Sequence, residues 1–440
     1  MIMYASPKFD AERIVFSFGV LSDWHIKMDA EPERDNREKL IRTIDQLRSR
    51  ANADDPRGLA LLVAAGDLTH DGKPEEIELL RQTMDRVMDW KQTAFIYVAG
   101  NHDRHNPLCN EAYREIFADV TDAGYDRQSA APDGALSGNR HFVVNGRHFI
   151  TLDPGKYCKQ EPNVFSESTK VWLDETLAVI TAAEPEAYVY VITHLLMQDT
   201  CYGSSRGFFY ATDDVTDILR KYPQVVTFGG HLHYPLNDDR SIMQTDFTAM
   251  ETATLSDMLI DGFDCGNVRK TKTDGNREFA QGLLVQQDAD GNLRVTRMDF
   301  WHGAEVDEPW YLDAPTADRS HLTRYTAQRE ESSDTPMLTG EISSAFEMTE
   351  EGTARLKLTL DAAQCAGFVR AYTVTLTDAS GVQVCQYRHM TDYYRHPRYQ
   401  DMPGRVEIIL PDVSPDRYTV NVVAHNCWGK TGNTLTGITV

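Results

Sequence analysis

The chain has 440 residues, 41% of them apolar and 25% charged, with a formal charge of −23 and a pI near 5.0. So acidic a balance argues against docking along a phosphate backbone, which needs clustered Lys and Arg, yet a small anionic substrate can still bind where metal ions reverse the local field. The seven cysteines (Cys109, Cys158, Cys201, Cys265, Cys365, Cys385, Cys427) are scattered, without CxxC or zinc-type spacing, and read as reduced, mostly buried thiols.

The first apolar run, Ile14 to Leu21, reads as a buried strand ending in Ser22-Asp23-Trp24-His25. Leu40, Ile44 and Leu47 then recur at helical spacing within about 33–50, and Leu59 to Ala65 is a second buried strand, stopped by Gly66-Asp67-Leu68-Thr69-His70-Asp71-Gly72. Pro74 opens a helix to about Lys91, and Ala94 to Ala99 is a third strand that runs into Gly100-Asn101-His102-Asp103. Strands alternating with helices predict a sheet with covered faces built from βα units. From about Arg140 to Leu152, short strands flank Asn145-Gly146, a strong two-residue hairpin signal. A helix at about 168–182 leads to the strand Tyr188 to Ile192 and then Thr193-His194. Gln198 to Tyr210 reads as a loop, a short helix follows near 213–221, and Val225 to Phe228 runs into Gly229-Gly230-His231-Leu232-His233. Further β-like runs at Phe247–Leu255, Gly282–Gln287 and Leu293–Phe300 complete a first domain, interrupted by an Asp/Gly/Lys-rich loop near 261–277.

Composition shifts at 313–336, which reads as a linker between a domain of residues 1–312 and a second of 337–440. In the latter, strand-like runs at Ala354–Leu360, Val369–Thr377, Val382–Tyr387, Arg405–Leu410 and Tyr418–Ala424 predict a smaller all-β sandwich of the immunoglobulin or fibronectin III kind. No apolar run approaches the ~20 residues that span a bilayer, and the first residues lack a basic region followed by a long apolar one, so a cytoplasmic protein without a membrane partner is expected.

Asp23, His25, Asp67, Asn101, His102, His194, His231 and His233 thus sit at five successive strand ends, where open α/β sheets place ligands. Any one has an ordinary reading as a strand cap or a satisfied loop side chain, but together they point to a shared metal centre. Carboxylates, imidazoles and an amide without thiolate suit Mn, Fe or Zn. So many ligands exceed the needs of one ion. Two ions roughly 3.5–4 Å apart would clamp the attacking and leaving oxygens of a phosphoryl transfer and lower the pKa of a bridging water, which predicts hydrolysis of a phosphate ester by a metal-bound hydroxide.

The ordered set Asp23-Trp24-His25, Gly66-Asp67 to Gly72, Gly100 to Asp103, Thr193-His194 and Gly230-His231-Leu232-His233 resembles the calcineurin-like metallophosphoesterases over about 14–300. The resemblance implies a four-layer α/β/β/α sandwich and two metal ions, one held by Asp23, His25 and His233, the other by Asn101, His194 and His231, with Asp67 bridging them. It further implies His102 as a non-ligand acid that contacts the phosphoryl oxygen, with Asp103 holding its far ring nitrogen. His70 stands where purple acid phosphatases carry a metal-binding Tyr, so a tyrosinate-iron site is not expected. The Gly66 to Gly72 motif looks more like the branch of cyclic nucleotide and glycerophosphodiester phosphodiesterases, although His194-Leu195-Leu196-Met197 replaces the His-His-Pro-Pro often found there.

Around these motifs, His70, Arg104, His105 and Arg206 are candidate substrate contacts, and Tyr202, Phe208, Phe209 and Tyr210 could stack on an aromatic leaving group. The expected partner is a small phosphate monoester or diester. A nucleotide or pyrophosphate hydrolase is the alternative within enzymes, and a non-catalytic binding protein that retains the fold is the alternative outside them. In the second domain, the basic and aromatic run from Tyr387 to Tyr399 reads chiefly as a packed hairpin loop, with stacking on bases as the sharper alternative.

Overall fold

The computed structural model describes residues 6–28, 31, 35–121, 126–132, 138–260, 269–270 and 277–439, so most of the 261–277 loop, with Cys265, lies outside the described residues. Among the described residues, those of Met3–Leu259 and Gly275–Ala327 form one compact unit, and those of Ile260–Asp274 and Gln328–Val440 form another.

In the first unit, β1 (Ile14–Leu21), β2 (Leu61–Ala65) and β3 (Ala94–Val98) run parallel, connected by α1 (Arg37–Asp54) and α2 (Pro74–Asp85). Gln281–Asp288 pairs antiparallel with β1, and Leu293–Asp299 with Gln281–Asp288. α1 turns Leu40, Ile44, Leu47 and Ala51 inward, one face at a spacing of three to four, into a core shared with Ile77, Leu80 and Met84 of α2 and with Leu62, Ala64 and Phe95 of the sheet. α2 stops at Asp85, short of the expected Lys91.

A second sheet contains β4 (Asp126–Ala130), β5 (Arg140–Val144), β6 (Arg147–Leu152) and β7 (Val189–Thr193), followed in space by Val225–Gly229, Thr248–Glu251 and Ile242–Gln244. Asn145 and Gly146 have φ of 47° and 75°, the left-handed pair that a primed hairpin turn requires. The helix Glu167–Ala183 is capped by Ser166 Oγ, which accepts from the Thr169 amide, and it buries Leu173, Leu177 and Ile180. Its Trp172 donates to Ser129 of β4 at 3.2 Å. The two sheets face each other through aromatics: Phe18 of β1 meets Phe149 edge-on at 5.3 Å and also packs on Tyr190 at 4.9 Å and Phe228 at 6.1 Å. With helices on the outer faces, the layers are α/β/β/α.

The second unit is a sandwich. Ser343–Met348, Ala354–Asp361 and Arg405–Pro411 form one antiparallel sheet. Gln383–Met390, Val369–Thr377, Thr419–Asn426 and Leu435–Ile438 form the other, also antiparallel, and the two-residue strand Arg269–Lys270 joins its edge in parallel. Alternate residues Leu356, Leu358 and Leu360 pack with Tyr372, Val374 and Leu376 and with Val420 and Val422. In the Tyr387 to Tyr399 run, Tyr387, Tyr393 and Tyr394 are buried, and Tyr393 stacks on Phe368 at 4.2 Å, so the aromatics serve packing within this unit. Of the cysteines, Cys109, Cys201 and Cys427 are buried. No helix among the described residues is long and apolar enough to cross a membrane.

Phe18 is fully buried at the meeting of both sheets. Phe18→Ala is expected to lower unfolding stability by about 4 kcal/mol, read from the denaturant midpoint, because neighbouring rings on two rigid sheets cannot collapse into the cavity. A loss below about 1 kcal/mol would show that the inter-sheet core repacks.

Candidate metal centre

The loops at these strand ends are joined by backbone bonds in two pairs. The Asp23 amide donates to the Gly66 carbonyl at 3.0 Å, the Trp24 and His25 amides share the Asp67 carbonyl at 2.8 and 3.0 Å, and the Gly230 amide donates to the His194 carbonyl at 2.9 Å. These bonds hold a strained backbone. Asp23, His25, Asp67, His231 and His233 all adopt positive φ, at 54°, 47°, 51°, 72° and 57°. Such left-handed conformations cost of order 1–3 kcal/mol each away from glycine, and they persist where surrounding structure over-determines them.

The glycines of the motifs are spacers. A Cβ on Gly100 would lie 2.1 Å from Asp67 Oδ1, and one on Gly230 would lie 1.9 Å from Ser22 Oγ and 2.5 Å from Asp23 Oδ2. Each glycine therefore lets a carboxylate from another loop approach the backbone behind it.

Two groups result. The ligand atoms of Asp23, His25 and His233 lie within 4.8 Å of one another, and so do those of Asp67, His194 and His231. Asp67 Oδ2 faces both, at 3.7 Å from His25 Nε2 and 3.3 Å from His194 Nε2. Asn101 Oδ1 approaches His194 Nε2 at 3.1 Å, and His233 Nε2 lies 3.1 Å from Asp23 Oδ1. The far nitrogens are fixed from behind: His194 Nδ1 donates to the Ala65 carbonyl at 2.9 Å and His233 Nδ1 to the Asp257 carbonyl at 2.7 Å. Both bonds leave Nε2 turned inward. His231 Nε2 is buried and has no hydrogen-bond partner.

The charges are strongly coupled. Burial by itself would raise Asp23, but His233 beside it brings the carboxyl down to about 2. Burial likewise works against the protonated forms of His194 and His233, yet Asp67 raises the former to about 10 and Asp23 the latter to about 9. His25 and His231 are pushed down to about 3, chiefly by burial. Two neutral imidazoles thus sit among two buried carboxylates that draw positive charge to their neighbours. An unpartnered imidazole nitrogen, inward-facing Nε2 atoms and a shared carboxylate are what a pair of cations would use.

The GNHD loop differs from expectation in one respect. His102 Nδ1 donates to the backbone carbonyl of His70 at 3.0 Å, not to Asp103. The Asp103 carboxylate is buried and accepts from the amides of Leu68, Thr69 and Gly100 at 3.1, 2.9 and 2.9 Å, and from the hydroxyls of Thr69 and Tyr113 at 2.8 Å each. It bolts the Gly66 to Gly72 loop to the GNHD loop. His102 is further placed by its amide, which donates to Asp67 Oδ1 at 2.8 Å.

Of the candidate substrate contacts, Arg104 is engaged elsewhere: its side chain is buried and pairs through Nε and Nη2 with the buried carboxylate of Asp153. That correction follows from Asp153 arriving at the end of β6, a partner far away in sequence. His70 lies at the site, its ring centroid 5.0 Å from that of His102, and the exposed His105 ring has its centroid 4.9 Å from that of His102 and its Nδ1 3.4 Å from Asp71 Oδ1. Arg206 stacks over Tyr210 at 4.1 Å and donates to the Tyr234 hydroxyl at 3.3 Å. The Phe209 and His231 rings meet edge to face with centroids 4.7 Å apart, the Tyr210 centroid lies 6.0 Å from that of His231, and Lys159 Nζ lies 5.0 Å over Phe209. Tyr202 instead stacks on Tyr234 at 5.0 Å.

Sequence reasoning missed the supports. Ser22 Oγ donates to Asp23 and also approaches the Ala65 carbonyl, Thr254 Oγ1 donates to the Asp23 carbonyl, and Tyr157 donates to the Ala99 carbonyl with its ring 6.0 Å from His194. Ser22 alone, adjacent to Asp23, carried a local signal.

Compared with known proteins, the chain matches a family model described as calcineurin-like phosphoesterase over residues 16–235, half of its length. No curated protein matches it.

Removing a buried carboxylate that gathers five donors leaves those donors unpaired. Asp103→Ala is expected to lower the stability of the metal-free protein by about 3 kcal/mol or more, seen as a fall in Tm. An unchanged Tm with a lowered rate would return Asp103 to a purely catalytic part.

Proposed function

The chain belongs to the calcineurin-like phosphoesterase family and is a metal-dependent hydrolase of phosphoric esters; from that premise we propose that Asp23, His25 and His233 hold one ion, Asn101, His194 and His231 a second, and Asp67 both. The observation that carries this reading is the position of Asp67 Oδ2 between one imidazole of each set. The unpartnered His231 Nε2 supports it. When bound, two such ions supply the Lewis acidity that neutralises phosphoryl oxygens and makes a water acidic enough to attack near neutral pH. Mn, Fe and Zn all suit the donor set.

The remaining work falls to the chain's own groups. His102 is held at two points, by its amide on Asp67 and by Nδ1 on the His70 carbonyl, so its ring keeps one orientation. Its Nε2 is the atom left to contact a phosphoryl oxygen and, when it carries a proton, to pass that proton to the leaving oxygen. The organic part of the ester lies against Phe209 and Tyr210 beside His231, a wall suited to planar groups. That favours aryl or nucleoside esters, including the cyclic nucleotide phosphodiester chemistry of the related branch. A nucleotide or pyrophosphate hydrolase remains the second reading, because Lys159 and Arg206 lie over those same rings and would pair with a further phosphate.

After loading with Mn2+, the protein is expected to hydrolyse p-nitrophenyl phosphate or its bis ester, and chelation is expected to abolish turnover. His102→Ala should retain about two ions by metal analysis and lose roughly 100-fold or more in kcat. Full activity in that variant would remove His102 from the chemistry. A panel of nucleotides, cyclic nucleotides and pyrophosphate separates the two readings of substrate.

A further inference from the structure

His70 has no part in the reaction proposed above, yet it belongs to a third group of metal-ligating side chains. His25, His70 and His102 present nitrogens within 4.8 Å of one another. Their ring centroids are 4.6 Å apart for His25 and His102, 5.0 Å for His70 and His102, and 6.1 Å for His25 and His70. Among the described residues nothing hydrogen-bonds the His70 ring, and the ring is only partly buried. Its own carbonyl holds His102 Nδ1, which leaves Nε2 of His102 as the available donor atom.

We propose that His25, His70 and His102 form an alternative site for a borderline divalent cation, Zn2+ or Cu2+, which shares His25 with the first ligand set, and that occupation of this site inhibits hydrolysis. Three imidazoles without a carboxylate select such ions over Mn2+ or Mg2+, which favour oxygen. Three nitrogen donors with an open fourth position are also the composition of many zinc sites. The carbonyl bond behind His102 is the kind of outer contact that orients a ligand imidazole and raises its basicity. Nearby charge favours a cation too, since Asp67 Oδ2 lies 3.7 Å from His25 Nε2.

Inhibition follows from which residues the ion takes. A cation on His102 Nε2 occupies the position of the proton that would go to the leaving oxygen. A cation on His25 competes with the first ligand set for that ring. The inhibitory half of the inference rests on the proposed function, and the binding half does not.

The test is equilibrium dialysis of the full chain against Zn2+ with metal analysis, alongside Zn2+ titration of the Mn2+-loaded enzyme. Because both sites need His25, wild type loaded with Mn2+ is expected to release about one Mn2+ per chain as Zn2+ inhibits it, and His70→Ala is expected to need roughly tenfold or more Zn2+ both for that release and for half-inhibition. His70→Phe, which keeps an aromatic ring without a donor nitrogen, should behave as His70→Ala. Equal Zn2+ requirements for Mn2+ release and for inhibition in all three proteins would overturn this inference and leave the proposed function standing. A wild-type chain that retains fewer than two ions would overturn the ligand sets proposed above.

Discussion

Asp67 holds one carboxylate oxygen 3.3 Å from His194 and 3.7 Å from His25, with its other oxygen on the His102 amide. Nothing of this carboxylate is left to solvent, so its charge must be met by groups the fold itself delivers. That requirement explains why five loops converge. Each brings a donor or a cationic partner, and the backbone bonds among them hold five residues at positive φ. The strain of those turns and the cost of two buried carboxylates are offset only when all the loops are in place. Folding of the site is therefore coupled across all five loops.

The βα units and the strand-end residues were legible in the sequence because both follow from short-range pattern. Buried parallel strands read as continuous apolar runs, helices between them show a spacing of three to four, and the residue just past each strand lies at the same edge of the sheet. The hairpin at Asn145-Gly146 was legible for the same reason, since its dihedral angles are a property of those two residues. Features made by distant partners were not. Asp103 next to His102 invites a local pair, but the turn Asp103–His105 swings its carboxylate toward amides of Leu68 and Thr69 and toward Tyr113. Arg104 resembled a phosphate contact only while Asp153 was out of view.

Edges and short elements were also hidden. In the sandwich, Ser343–Met348 and Leu435–Ile438 lie at the rims of their sheets, and neither buries a face completely, so neither shows clean alternation. The segment 313–327 has a linker's composition, yet the Gln244 side chain accepts from the amides of Arg324 and Tyr325, and His321 is buried. Asn292, Asp246 and the Pro223 carbonyl hold further points of the same segment. Composition has no means of reporting them.

The site also divides mechanically. His102 is tied to the Gly66 to Gly72 loop by its amide on Asp67, by Nδ1 on the His70 carbonyl, and by the neighbouring Asp103 carboxylate that gathers both loops. The His102 ring and the Asp67 carboxylate are therefore held as one body, the kind of support that fixes neighbouring groups to a fraction of an ångström. Phe209 and Tyr210 stand on a different loop, anchored by Asn163 to the Phe208 carbonyl, by Ser204 to the Thr200 amide, and by the Tyr202 amide to the Arg240 carbonyl. None of those anchors touches Asp67 or Asp103. Substitution along 198–210 can therefore reshape the wall formed by Phe209 and Tyr210 while Asp67, Asp103 and His102 keep their geometry.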